Sequence, residues 1–229
     1  MRPTLRLGLE TFGEQGTSSM NTLPQEIEKE SFRLILADMG AHSFSPEELA
    51  IVVRVIHATA DFDFRETIRF HPQAVRTGVT ALRRGCTIIA DVRMVEVGIS
   101  VEILSRLGGR TICDVRHPQV CEEARALGLT RSAVAIRRNA RHIQGGIVAV
   151  GNAPTALLEV IRLVREEGIH PALIIGVPVG FVNAAESKEE LLTLDVPYIT
   201  TLGRKGGSPV AVAIVNALLR LASYERDDG

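Results

Sequence analysis

The feature that most constrains the fold of this sequence is an alternation. Short β-branched runs at 87–90, 111–115, 147–150, 173–177 and 198–201 are separated by stretches of helical period, clearest at 118–127, 154–167 and 208–222. A strand apolar on both faces must be covered on both, and helical crossovers between parallel strands supply that cover. The predicted class is therefore α/β: a mostly parallel, doubly wound sheet of about five core strands flanked by helices, joined by right-handed crossovers. No linker or repeat interrupts the pattern, so residues 23–229 are expected to form a single domain behind a loose N-terminal extension over residues 1–22.

Helices precede the sheet. Ile27, Ser31, Leu34 and Ile35 share one face of a helix that starts at Pro24 and ends near Gly40. Ser45, Pro46, Glu47 and Glu48 then spell a second helix start: an N-cap, a proline in the first turn and acidic residues facing the positive end of the dipole. Its apolar stripe is Leu49, Val52, Val53 and Ile56, so His57 borders that stripe in a half-buried position near the helix end. A third helix is expected over 72–84, closed by Gly85.

Composition narrows the partners. Net charge is −1, from 26 basic and 27 acidic side chains, and aromatic residues are 4% with no Trp. That leaves neither the basic surface nor the stacking platforms that nucleic acid requires. Cys86, Cys113 and Cys121 form no CxxC pair, and their odd number suits a reducing cytoplasm; Cys86 and Cys113 fall at strands and read as packing residues. No apolar stretch approaches the roughly 20 residues of a membrane helix, and no signal-peptide core is present, so a cytoplasmic protein away from membranes is expected. The six histidines lack HExxH and Cys/His ligand spacings, so no protein-held metal is expected.

The loops leaving the strands' carboxyl ends are unusual: Asp91-Val92-Arg93-Met94, Gly151-Asn152-Ala153-Pro154, Val177-Pro178-Val179-Gly180-Phe181 and Gly203-Arg204-Lys205-Gly206-Gly207-Ser208. Open α/β sheets take their ligands at that edge. The last loop joins two cations, three glycines and a helix N-terminus, the makings of an anion cradle; a tight turn with solvated charges is the plainer reading. It lacks the GxxxxGK[ST] phosphate loop, GxGxxG is absent, and there is no GxSxG nucleophile elbow. Arg131 opens a helix, where a cation opposes the dipole and calls for an anion; either a ligand or Glu122 or Glu123 would serve. Arg137, Arg138 and Arg141 read as a solvated face. His57 is either a core histidine hydrogen-bonded at a helix end or a proton donor, since the negative end of a helix dipole favours imidazolium by up to about 2 kcal/mol.

Three segments together are more specific than any one of them: Arg54-Val55-Ile56-His57-Ala58-Thr59, Gly151-Asn152-Ala153-Pro154-Thr155-Ala156-Leu157, and Pro178-Val179-Gly180-Phe181-Val182 followed by Glu186-Ser187-Lys188-Glu189. In this order they resemble the precorrin-8X methylmutase family. The likeness runs from Glu26 to Leu221 and takes in Glu30-Ser31-Phe32, Asp91, Met94, Thr130-Arg131-Ser132 and the loop from Gly203 to Ser208. It implies an isomerase of cobalamin biosynthesis that moves a methyl group from C11 to C12 of a corrin precursor, giving hydrogenobyrinate or cobyrinate. It also implies no dissociable cofactor, a tetrapyrrole substrate and a homodimer with a shared pocket.

The resemblance makes His57 the catalytic residue and places Ser31 and Arg131 in the pocket. Joined with the loop compositions, it extends the expected substrate contacts to Asp91, Ser132, Asn152, Gly180, Phe181, Arg204, Lys205, Gly207 and Ser208, with the Gly180 and Gly207 amides offered as donors. A 1,5-methyl shift needs no nucleophile, only a polarised ring held in one orientation, and a positioned general acid contributes about 10²–10⁴ in rate. Ala60-Asp61-Phe62-Asp63-Phe64 resembles the form found in the cobalt-containing branch. Two other readings stay open: a corrinoid carrier without catalysis, and an enzyme using the 203–208 loop on a phosphorylated metabolite.

Overall fold

The computed structural model describes residues 23–224, so the extension expected over residues 1–22 lies outside the described residues. Two helices come first, α1 (Pro24–Met39) and α2 (Pro46–Thr59). The start of α2 is a complete capping box: the Glu48 N–H donates to Ser45 Oγ at 3.2 Å, and the Ser45 N–H donates to Glu48 Oε2 at 2.9 Å. Ser45→Ala removes that acceptor and is expected to cost about 1 kcal/mol in a urea unfolding titration, without changing its slope. At the other end the chain turns at Ala60, whose φ of 52° is left-handed and whose N–H donates to Ile56 O at 2.7 Å.

The remaining elements are α3 (Phe64–Thr67), β1 (Ile68–Phe70), α4 (Ala74–Arg83), β2 (Thr87–Ala90), α5 (Arg93–Gly98), α6 (Val101–Arg106) and β3 (Arg110–Ile112). Then follow α7 (Pro118–Leu127), α8 (Arg131–Arg138), α9 (Ala140–Ile143), β4 (Ile147–Val150), α10 (Pro154–Glu167), β5 (Leu173–Gly176), α11 (Ala184–Leu191), β6 (Tyr198–Thr201) and α12 (Ser208–Tyr224). The strands form one sheet in the order β1-β6-β5-β4-β2-β3, parallel throughout except for β1, which runs antiparallel to β6. The five expected strands are all present, β3 and β5 ending earlier than predicted; β1 was not predicted. Cys86 and Cys113 flank β2 and β3 rather than lying within them, and burial pushes both thiols up to about 11.

Every residue of β4 and β5 is buried because each strand faces a helical layer on both sides. Ile147 and Ala149 point into the core shared with α2, α4 and α12, while Val148 and Val150 point into the core shared with α8 and α10. No helix among the described residues is long and apolar enough to cross a membrane.

Two consequences of the topology position the site. The five parallel strands deliver all their following loops to one edge. β1 joins that edge from the opposite direction: Ile68 pairs with Thr201, and the Leu202 N–H donates to Thr67 O at 2.8 Å. The segment that follows α2 is thereby laid beside the loop that follows β6.

Candidate active site

His57 lies in the last turn of α2, two residues before its end. Expected to be half-buried, it is exposed, because the buried stripe of α2 runs through Ile51, Val52, Val55 and Ile56 and leaves the next position outside. Its ring forms a T-shaped contact with that of Phe32 on α1, 5.3 Å between centroids and nearly perpendicular at 89°. Phe32 in turn lies under the Arg54 guanidinium at 5.0 Å, and Arg54 Nη1 donates to Glu28 Oε1 at 3.0 Å. The imidazole lines a cavity of about 330 Å³ with Pro24, Ile27 and Glu28. Ser31, one helical turn beyond Ile27, is half-buried and donates its hydroxyl to Ile27 O at 2.8 Å.

The strand-end loops divide into parts that are used up and parts that are free. Asp91, expected as a substrate contact, is fully buried, and its carboxylate is committed to the neighbouring loop. Its Oδ1 accepts the Gly151 N–H at 3.1 Å, and Oδ2 accepts the Asn152 and Ala153 N–H groups at 2.8 and 2.7 Å. Burial pushes this carboxyl above the ordinary aspartate range, while the three N–H donors pull against that shift. Gly151 itself is required, since a Cβ there would stand 2.8 Å from Ser208 Cα. Asn152 remains exposed, whereas Ser132 and Ser208 are at most 8% exposed.

The amides of Gly180 and Gly207, expected as substrate donors, are likewise committed. They donate to Arg204 O at 3.2 Å and Val177 O at 2.8 Å, which clips the loop after β5 to the loop after β6. The clip is tight: a Cβ on Gly206, at φ 157°, would meet Val177 O at 2.3 Å. What these two loops present outward is Phe181, 83% exposed, with the Arg204 guanidinium 5.4 Å over its ring. Lys205, also expected to hold substrate, instead places its Nζ 2.6 Å from Asp61 Oδ2 and 2.7 Å from Asp63 Oδ2. That pairing holds the Asp61 carboxyl below its usual range and the Lys205 amine above its own.

Arg131 begins α8. Its helix is capped by Thr130, whose Oγ1 accepts the Ala133 N–H at 3.2 Å and sits 2.7 Å from Thr155 Oγ1 on α10. Arg131 is exposed and makes no ion pair among the described residues; Glu123, one of its expected partners, holds Arg138 at 2.9 Å. Arg137 is no solvated bystander either, for it ties α8 to Glu159 on α10 at 2.9 Å. Arg131 lines a second cavity, of about 340 Å³, with Cys121, Ala124, Arg125 and Leu129. His57 and Arg131 thus line separate cavities, with Phe181 and Arg204 exposed at the sheet edge.

Four residues quoted in the sequence motifs had been given no role there. Phe32 supports the imidazole. Asp61 and Asp63 are the carboxylates that occupy Lys205. Lys188 is fully buried on α11, donating to Lys205 O at 2.7 Å, and burial pushes its amine down to about 8. The last had a usable signal, since Ala184, Ser187, Lys188 and Leu191 keep helical spacing and are all buried.

An exposed imidazole packed on an aromatic ring, with Arg131 and Arg204 free of ion pairs among the described residues and an exposed phenyl ring at the sheet edge, suits proton handling on a flat, anionic, partly apolar ligand. The precorrin-8X methylmutase family model matches residues 26–221. A cobalt-precorrin-8 methylmutase from Priestia megaterium is 49% identical, over 87% of this chain and 88% of that protein. Another, from Leptospira interrogans, is 47% identical over 89% and 96%. The crystal structure of a Thermus thermophilus precorrin-8X methylmutase superposes with a TM-score of 0.80 at 42% identity, covering 89% of this chain and 98% of that one.

Proposed function

Because the chain belongs to the precorrin-8X methylmutase family, we propose a mechanism in which His57 is the acid that assists methyl migration on a tetrapyrrole carrying cobalt. The reaction is an isomerisation in cobalamin biosynthesis: the methyl group leaves C11 and joins C12 of the macrocycle. One C–CH₃ bond breaks, another forms, and the ring double bonds shift between them. Substrate and product are isomers, so a proton lent by the imidazole is returned within the cycle. Cobalt fills the ring nitrogens, which leaves the periphery of the conjugated system as the place where the imidazole acts. Support for the cobalt form comes from the two relatives above that bear the cobalt-precorrin-8 name.

The observation that carries this reading is the exposed ring of His57 near the end of α2, set against Phe32 of α1 and lining a cavity with Ile27 and Glu28 of the same helix. Arg131 and Arg204 take the substrate's peripheral carboxylates, and Phe181 and Asn152 complete the rim. The His57 cavity, about 330 Å³, is at the small end for a drug-sized ligand, and a tetrapyrrole with its acid arms is larger. Leu23, Ile27 and Leu34, at the start of and along α1, are 60%, 51% and 48% exposed, which favours a second copy of the chain closing the pocket. The cytoplasm is the compartment this chemistry calls for.

The direct test supplies cobalt-precorrin-8 and the metal-free substrate separately and follows the absorption spectrum. Conversion of the cobalt form is expected; binding without any spectral conversion of either would leave a carrier and remove the enzyme. Arg131→Ala removes one charge-assisted contact and is expected to weaken substrate binding roughly tenfold to a hundredfold, with a smaller effect on turnover at saturation. Unchanged binding would take Arg131 out of the site.

A further inference from the structure

Deepening the reading of His57 above, and resting on it, we propose that Lys205 is a positioning residue that holds the turn after the catalytic helix and does not contact substrate. Both carboxylates it reaches belong to that turn: Nζ is 2.6 Å from Asp61 Oδ2 and 2.7 Å from Asp63 Oδ2. The turn needs holding. Ala60, three residues after His57, sits at φ 52°, a conformation that a residue with a Cβ disfavours. Asp61 stitches the same turn from within, its N–H donating to Thr59 Oγ1 at 3.3 Å and its Oδ1 accepting the Asp63 N–H at 3.0 Å.

An isolated ion pair at the surface would hold little, because a long side chain loses freedom in making it. Lys205 differs in being fixed at its root. Its carbonyl accepts from the buried Lys188 Nζ at 2.7 Å and from Thr201 Oγ1 at 3.0 Å, so α11 and β6 both grip its backbone. The result is a strut that runs from the sheet edge through Lys205 to the turn that follows α2. A cation already shared between two carboxylates has little charge left to offer an anionic substrate, whereas its neighbour Arg204 has no carboxylate partner among the described residues and keeps that role.

The two roles separate in steady-state kinetics on the full chain. Lys205→Met is expected to lower kcat roughly tenfold to a hundredfold, since a small misplacement of a reacting group is costly. KM should stay within about twofold, because a substrate contact is not what was lost. The paired variant Asp61→Asn with Asp63→Asn should reproduce that loss with Lys205 intact, and combining it with Lys205→Met should add little. Lys205→Arg, which keeps the charge and the reach, should recover most of the rate.

A rise in KM at constant kcat in Lys205→Met, or wild-type kcat in the paired aspartate variant, would overturn the proposal. The paired variant carries the test by itself if Lys205→Met does not fold. The imidazole NMR signal of His57, assigned by its absence in His57→Ala, should move in both variants; a fixed signal would also overturn it. Should His57→Ala itself retain turnover, the assignment of the acid falls, and the displacement of that signal alone decides whether the strut exists.

Discussion

His57→Ala is expected to slow conversion of the corrin substrate by roughly 10²–10⁴ while the protein stays folded and keeps its ligand. The size follows from the role. A 1,5-shift needs no covalent intermediate, so in the proposed role the imidazole would contribute what a positioned acid contributes, with the hold on the macrocycle left to other groups. Folding should survive because the ring is exposed, outside the buried stripe of α2, and among the described residues its aromatic contact is a T-shaped one with Phe32. Such a contact is worth about 0.5–1.5 kcal/mol. Single-turnover spectra of enzyme in excess over substrate measure the rate, and a spectral titration measures retention. Wild-type turnover in this variant would remove the imidazole from the chemistry.

Asp91→Asn is expected to do the opposite: to damage the fold first and activity as a consequence. Both carboxylate oxygens accept from the chain at Gly151, Asn152 and Ala153, and the side chain is fully buried. An asparagine can present its oxygen to Asn152 and Ala153, but its NH₂ then faces the Gly151 N–H, donor against donor. A buried donor left without an acceptor costs about 1–3 kcal/mol, and the repulsion adds to that. A loss near 3 kcal/mol corresponds to a fall in Tm of roughly 5–10 °C for a chain of this size. Calorimetry checks it. An unchanged Tm with raised KM would instead return Asp91 to the substrate, as its place after β2 first suggested.

The parallel core was legible because the forces that shape it leave a pattern: Ile147–Val150 and Leu173–Gly176 are short apolar runs, and every residue in them is buried on one face or the other. β1 left no such trace. Three residues, Ile68–Phe70, pair with a single neighbour at the sheet's edge, and only Ile68 is buried. The position of His57 near a helix end was readable from Ser45 and the stripe behind it. Its exposure was not, because one residue of helical phase separates a half-buried position from an open one.

The loops were readable as a set and unreadable one by one. Composition marks Gly203 to Ser208 as cationic and flexible, but which of Arg204 and Lys205 is already neutralised depends on Asp61 and Asp63, and those arrive beside it only through the unpredicted antiparallel strand. The same holds for Asp91. An aspartate at the end of a strand has the same sequence whether it turns outward to a ligand or inward to three amides.

The outermost strands of the sheet, Ile68–Phe70 on one side and Arg110–Ile112 on the other, are three residues each. So short a rim offers a second chain few free amides and carbonyls to zip onto, which guards the molecule against edge-to-edge growth into fibres. Any pairing of copies through the described residues would then use side chains on helices and loops, where it can be closed, symmetric and limited in number, rather than a ladder that any further copy could extend.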